Sequence, residues 1–212
     1  MKTLNECYLY GIIDAGYIVR ERLPTITSQL LEGGTDIIQL RAKGRSPREV
    51  LAMAIEIAPL CRSSGIPFIL NDHPELVREA GADGAHVGQD DLSISEARRL
   101  AGPGAIIGKS THSVEQAIAA STEAPDYIGF GPIFATPTKP DYPPIGTEGI
   151  QKVHAQLSLP IFCIGGIKLS NLRHVLDTGA RRVVIVSDLL LADDPSGRVA
   201  DCKSVLNSSW RA

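Results

Sequence analysis

Strand-like apolar runs alternate with amphipathic helical runs eight times along this 212-residue chain, which predicts an α/β protein built as a single closed (β/α)8 barrel of the TIM-barrel type. Three observations carry the prediction. The strand runs are apolar on both faces, as parallel strands covered on each side must be. A helical run separates each strand from the next, the spacing a parallel crossover needs. Eight such units in about 200 residues match the length of one barrel. An open doubly wound sheet is the alternative fold. It usually has fewer units and a Gly-rich turn after the first strand, and Asp14-Ala15-Gly16 does not supply G-x-G-x-x-G. No linker or low-complexity stretch divides the chain, so one domain over 1–212 is expected.

Strand one is expected at 7–13 and its helix at 23–33; strand two at 36–40 and its helix at 47–64, where Val50, Leu51, Ala54, Ile57 and Ala58 recur at helical spacing. Strand three is 67–70, followed by a helix over 75–80 that Gly81 stops. Strand four is 85–88, and the helix at 93–100 opens on Ser93 and Glu96, a capping-box pair. Strand five is 105–108, and Ser113 opens the next helix, with Glu115 and Gln116 in its first turn. Strand six is 127–130 with a helix at 149–157; strand seven is 161–164 with a helix at 170–177 and Gly179 as the stop. Strand eight is 183–186, a short apolar turn covers 189–191, and the last helix is 195–206. The irregular stretch 135–147, rich in Pro and Gly, is long for a compact domain and reads as a cover over a site.

A formal net charge of −3 gives no general electrostatic attraction to nucleic acid or to a membrane surface. Anionic substrates must then be met by individually placed Arg and Lys. Cys7, Cys61, Cys163 and Cys202 lack Cys-x-x-Cys spacing and three of them sit in apolar runs, which points to buried thiols in a reducing cytoplasm rather than to disulfides. No secretion signal and no 18-residue apolar stretch is present, so a cytoplasmic protein that neither is secreted nor spans a membrane is expected, with its oligomeric state left open.

The chemistry collects at strand ends. Asn71 and Asp72 end strand three, and Gln89, Asp90 and Asp91 follow strand four, so neighbouring parallel strands deliver Asp72 and Asp91 to one rim. Two carboxylates with Asn71 and Gln89 beside them make a hard-oxygen site suited to Mg2+. Either aspartate can equally cap the helix that follows it, although Ser93 already offers itself as a cap for the second. Gln39, Arg41 and Lys43 alternate along strand two and its extension, with Gln39 and Arg41 roughly 7 Å apart, which matches a row of donors along a diphosphate. A charged strand end facing solvent is the bland alternative. Ser110 and His112, in Gly-Lys-Ser-Thr-His, can donate to phosphate oxygens or to a leaving group, and no nucleophile–base–acid set suggests a hydrolase. Thr136, Thr138 and Lys139 suit a phosphate, or else belong to a Pro-stiffened surface loop. Gly165-Gly166 after strand seven and Ser187 after strand eight occupy the place where barrels bind phosphate. His86 reads as an interior residue, and His73, His154 and His174 as surface residues.

The segments Gln-Leu-Arg-Ala-Lys, Leu-Asn-Asp-His, Gly-Ala-His-Val-Gly-Gln-Asp-Asp-Leu, Gly-Lys-Ser-Thr-His, Gly-Pro-Ile-Phe-Ala-Thr-Pro-Thr-Lys and Cys-Ile-Gly-Gly-Ile, in this order, resemble the thiamine-phosphate synthase family over nearly the whole chain. The resemblance implies that a pyrimidine methyl diphosphate ionises to a carbocation, which the nitrogen of a thiazole phosphate captures. It further implies that Asp72 and Asp91 hold Mg2+. Gln39, Arg41, Lys43, Asn71, Ser110 and Lys139 would hold the diphosphate, with Ser110 and Lys139 also acting in catalysis. Thr136, Thr138, Gly166, Val186 and Ser187 would hold the thiazole phosphate. Asp188 departs from the small residue usual in the family, and its carboxylate repels a phosphate unless it points away. A thiazole tautomerase and a non-catalytic phospho-ligand binder are the competing readings; the presence of both Asp91 and Lys139 favours the synthase.

Overall fold

The computed structural model describes residues 1–136 and 143–209. Its parallel strands are β1 Leu9–Asp14, β2 Ile37–Arg41, β3 Phe68–Asn71, β4 Gly84–Val87, β5 Ile106–Thr111, β6 Tyr127–Phe130, β7 Ile161–Cys163 and β8 Val183–Ile185. They close in chain order, with β8 returning to β1 so that Tyr10 sits opposite Val184. Between them run α1 Leu23–Glu32, α2 Pro47–Ser63, α3 Val77–Ala80, α4 Ile94–Ala101, α5 Val114–Thr122, α6 Ile150–Gln156 and α7 Leu169–Asp177. A short α8, Ser187–Leu190, and α9, Pro195–Ser209, complete the ring. The expected (β/α)8 barrel is the fold.

Local chemistry explains most of the boundaries. Ser93 caps α4: its hydroxyl accepts from Glu96 N, and the Glu96 carboxylate bonds back to the cap residue. Ser46 and Glu49 do the same for α2. Gly81, with φ 68°, ends α3. Two expectations need correcting. Strand five does not stop at Gly108 but runs to Thr111, because β6 pairs with it as far as Phe130 and the Thr111 hydroxyl donates to Gly129 O. Residues read as an apolar turn form α8, held by burial of Leu189 and Leu190.

Two apolar layers result from the alternation of strand side chains. One strand phase packs outward against the helices. The other fills the barrel with Tyr10, Ile37, Ile69, Tyr127, Phe162 and Val184, and the Phe162 ring meets Tyr10 and Tyr127 edge-on at 5.4 and 5.5 Å. All four cysteines are free and buried, as expected, and burial pushes the Cys61 thiol up to about 12. His154 is half-buried rather than placed at the surface. Its Nε2 is buried with no hydrogen-bond partner among the described residues, and burial together with Arg181 and Arg182 pushes the imidazole down to about 4. His174 is exposed on α7, and His73 lies 2.9 Å from Glu75. Among the described residues no helix is long and apolar enough to cross a membrane.

Candidate active site

The parallel strands all end at one rim, and a cleft opens there. Gln39 and Arg41 from β2, Asn71 from β3, His86 from β4 and Ser110 from β5 line one side. Thr136, Gly166, Val186 and Ser187 line the other. Lys43, Asp72 and Asp91 follow β2, β3 and β4 at the same end of the barrel but are not among the residues that line the cleft. Thr138, Lys139 and the middle of the 135–147 stretch lie outside the described residues.

On the β2–β4 side, opposite charges meet in pairs. Arg41 lies 2.5 Å from Asp14, whose other oxygen accepts from Gly16 N, and Asp14 is only 3% exposed. Asp14 escaped the sequence reading, although it ends β1 just as Asn71 ends β3. Lys43 lies 2.5 Å from Asp72. Asp72 has φ 65°, a left-handed backbone rare outside glycine, while its N–H donates to His86 O and continues the β3–β4 ladder. The capping alternative fails for both aspartates. His73 stands at the N-cap after β3 and Ser93 at that of α4, and Asp91 instead accepts from Gly88 N at 2.6 Å. The Gln89 amide is turned to Ser110 O, 2.5 Å away.

The opposite side is built from backbone. Gly165 and Gly166 adopt φ of 100° and 63°, and a Cβ on either would collide with Pro132 or Phe134, so only glycine lets the chain turn this tightly beneath the cleft. Val186 precedes α8 and Ser187 begins it. Asp188, the expected source of repulsion, points away: one carboxylate oxygen accepts from Leu169 N at 2.9 Å and the other from Arg198 at 2.8 Å. The extra carboxylate fastens α7 and α9 to α8.

In the floor of the cleft, which Tyr10 and Tyr127 also line, the Gln39 amide donates to the Tyr10 hydroxyl at 2.7 Å. Tyr10 and Tyr127 hydroxyls are 2.9 Å apart, Tyr127 is 3.1 Å from His86 Nδ1, and His86 Nε2 is 2.9 Å from Ser110 Oγ. His86 is interior, as expected, yet it also reaches the cleft. Neither tyrosine was singled out from sequence, although a hydroxyl in an otherwise apolar strand is a signal that it needs a buried partner. His112 Nδ1 lies 2.6 Å from Gly131 O.

A family model described as thiamine monophosphate synthase matches residues 9–189. The thiamine-phosphate synthase of Halalkalibacterium halodurans is 44% identical over 195 residues, 92% of this chain and 92% of that one. That of Thermus thermophilus is 45% identical over 194 residues, covering 91% and 92%. The chain belongs to the thiamine monophosphate synthase family. Among solved structures, thiamine phosphate pyrophosphorylase from Pyrococcus furiosus superposes with a TM-score of 0.88 at 30% identity, over 97% of this chain and 98% of that one. Membership of the thiamine monophosphate synthase family makes the chain a transferase of thiamine biosynthesis.

Proposed function

We propose that the chain, as one barrel domain, joins 4-amino-5-hydroxymethyl-2-methylpyrimidine diphosphate to thiazole phosphate, releasing pyrophosphate and thiamine phosphate. The carbon–oxygen bond to the diphosphate breaks with its electron pair leaving on pyrophosphate, and the thiazole nitrogen lone pair forms the new carbon–nitrogen bond. The single observation that carries this reading is one cleft with two unlike polar ends. Arg41 and Asn71 line one end, with Lys43 paired to Asp72 at the same strand ends, and the Gly165-Gly166 turn with Ser187 lies at the other.

In this reading Gln39, Arg41, Lys43, Asn71, Ser110 and Lys139 hold the diphosphate, and Thr136, Thr138, Gly166, Val186 and Ser187 the thiazole phosphate. Because Asp188 faces Leu169 and Arg198, it does not oppose the second phosphate. Lys43 beside Asp72 marks that carboxylate as facing a cation. Among the described residues no group of three or more His, Cys, Asp or Glu could enclose a metal. Two rim carboxylates suit Mg2+, which takes its remaining ligands from water and phosphate. Asp72 and Asp91 would hold Mg2+, which when bound supplies positive charge against the negative charge gathering on the leaving group. Arg41 and Lys43 add fixed positive charge, and Ser110 donates a hydrogen bond. Buried free thiols and phosphorylated substrates support a cytoplasmic setting.

The test is an assay with both purified substrates. Thiamine phosphate and pyrophosphate should appear in equal amounts, and only when both substrates are present. Pyrophosphate released at the same rate without the thiazole would replace this reading with hydrolysis.

A further inference from the structure

We propose that Gln39, Tyr10, Tyr127 and His86 form a one-way hydrogen-bond relay that holds His86 as its neutral Nε2–H tautomer and makes Ser110 an obligate donor towards the bound ligand. This deepens the reading above, in which Ser110 contacts the diphosphate substrate.

The relay runs through the apolar interior of the barrel, where Tyr10, Tyr127 and Gln39 are 1%, 1% and 2% exposed. Each polar group there needs a partner. The proton count then sets the direction. The Gln39 amide nitrogen can only donate, so Tyr10 accepts from it and gives its own proton to Tyr127. Tyr127 in turn donates to His86 Nδ1. An imidazole that accepts at Nδ1 carries its proton on Nε2, which donates to Ser110 Oγ. Every hydroxyl up to that point gives one hydrogen bond and receives one. The Ser110 proton is the one left over, and Ser110 lines the cleft. In the reverse direction Tyr10 would accept from both Gln39 and Tyr127, and its own proton would have no acceptor among the side chains it is bonded to.

Two further observations support a built relay. A Cβ at Gly108 would lie 2.2 Å from Tyr127 Cζ and 2.6 Å from His86 Nδ1, so the Tyr127–His86 link exists because β5 carries glycine there. Burial also raises both phenols above their ordinary range, which keeps each one a donor. The tyrosines and His86 are positioning residues: they act through Ser110. The ligand atom that Ser110 meets must be an acceptor, an anionic oxygen or an unprotonated ring nitrogen.

Nitrogen-15 spectra of the histidine-labelled full chain, taken without substrate at neutral pH, read the tautomer directly. His86 should show a protonated Nε2 and a bare Nδ1. Tyr127→Phe, and separately Tyr10→Phe, should convert that signal into a tautomer mixture in a chain that still folds. A protonated Nδ1 in the wild-type chain, the result of a Gln39 amide turned end for end, would overturn the relay. So would an unchanged His86 signal in both variants. As a kinetic check, Tyr127→Phe should lower kcat about tenfold in the wild-type background and under about twofold in the Ser110→Ala background. Equal losses in the two backgrounds would contradict action through Ser110. A chain that made no thiamine phosphate yet gave the Nε2–H signal would sink the reaction reading and leave the relay standing.

Discussion

In the proposed function Asp72 and Asp91 ask most of single side chains, because a carboxylate assigned to a metal has no neutral substitute of equal strength. Asp72→Asn and Asp91→Asn should each lower kcat roughly a hundred- to a thousandfold. Thermal melting should stay close to wild type, since both side chains lie at the rim rather than in the core; wild-type turnover in either variant removes that residue from the site. Asp14 poses a subtler test. It is buried, it touches Arg41 at 2.5 Å, and it also fixes Gly16 N. Asp14→Asn should misplace the guanidinium and reduce kcat/KM for the diphosphate substrate about ten- to hundredfold. An unchanged kcat/KM would mean that Arg41 is held without it. Asp72 was legible because polar residues at the end of an apolar strand stand out. The Arg41–Asp14 pairing was not, since it joins residues 27 apart that only closure of β1 against β2 brings together.

Elements far from the cleft hold the barrel together, and their titration gives pH-dependent stability. Asp36 is 1% exposed and accepts from Lys2, Lys203, Tyr8 N and Leu9 N, tying the N-terminal segment and α9 to β1. Burial alone would raise its pKa, but the two lysines and the two amides outweigh burial and lower it. A lowered acid stabilises the fold above its unfolded pKa, and that stability is lost as pH falls through the folded value. Asp36→Ala should cost ~3 kcal/mol, because two buried amides lose their acceptor. A loss under about 0.5 kcal/mol in urea unfolding would discount the clip. His154 acts in a higher window: its folded pKa is about 4 against an ordinary 6.5, so the unfolded chain takes up the proton first and stability falls as pH drops between those values. His154→Leu should flatten the wild-type decline between pH 7 and pH 5; an equally steep decline would exclude this imidazole as its source. Sequence placed His154 at the surface because helical spacing alone does not tell a half-buried flank from an exposed one. The turn expected at 189–191 falls on a helix, Ser187–Leu190, missed for a similar reason: four residues are too few to show a period.

The barrel itself was readable because the alternation of apolar strands and amphipathic helices is repeated eight times, and closure follows from the count. What stayed hidden was the phase of those strands. A strand apolar on both faces does not announce which residues point inward, so Tyr10, Tyr127 and His86 entered the site only once the register was known. At the level of the assembled cleft, a metal-assisted departure of diphosphate should make turnover depend on the rim carboxylates, the cations and both substrates together. Pyrophosphate release, followed with both substrates in Mg2+ and again in excess chelator, tests that dependence most directly. Release should collapse in chelator and return when Mg2+ is restored, whereas equal turnover in the two conditions would contradict the role given to Asp72 and Asp91.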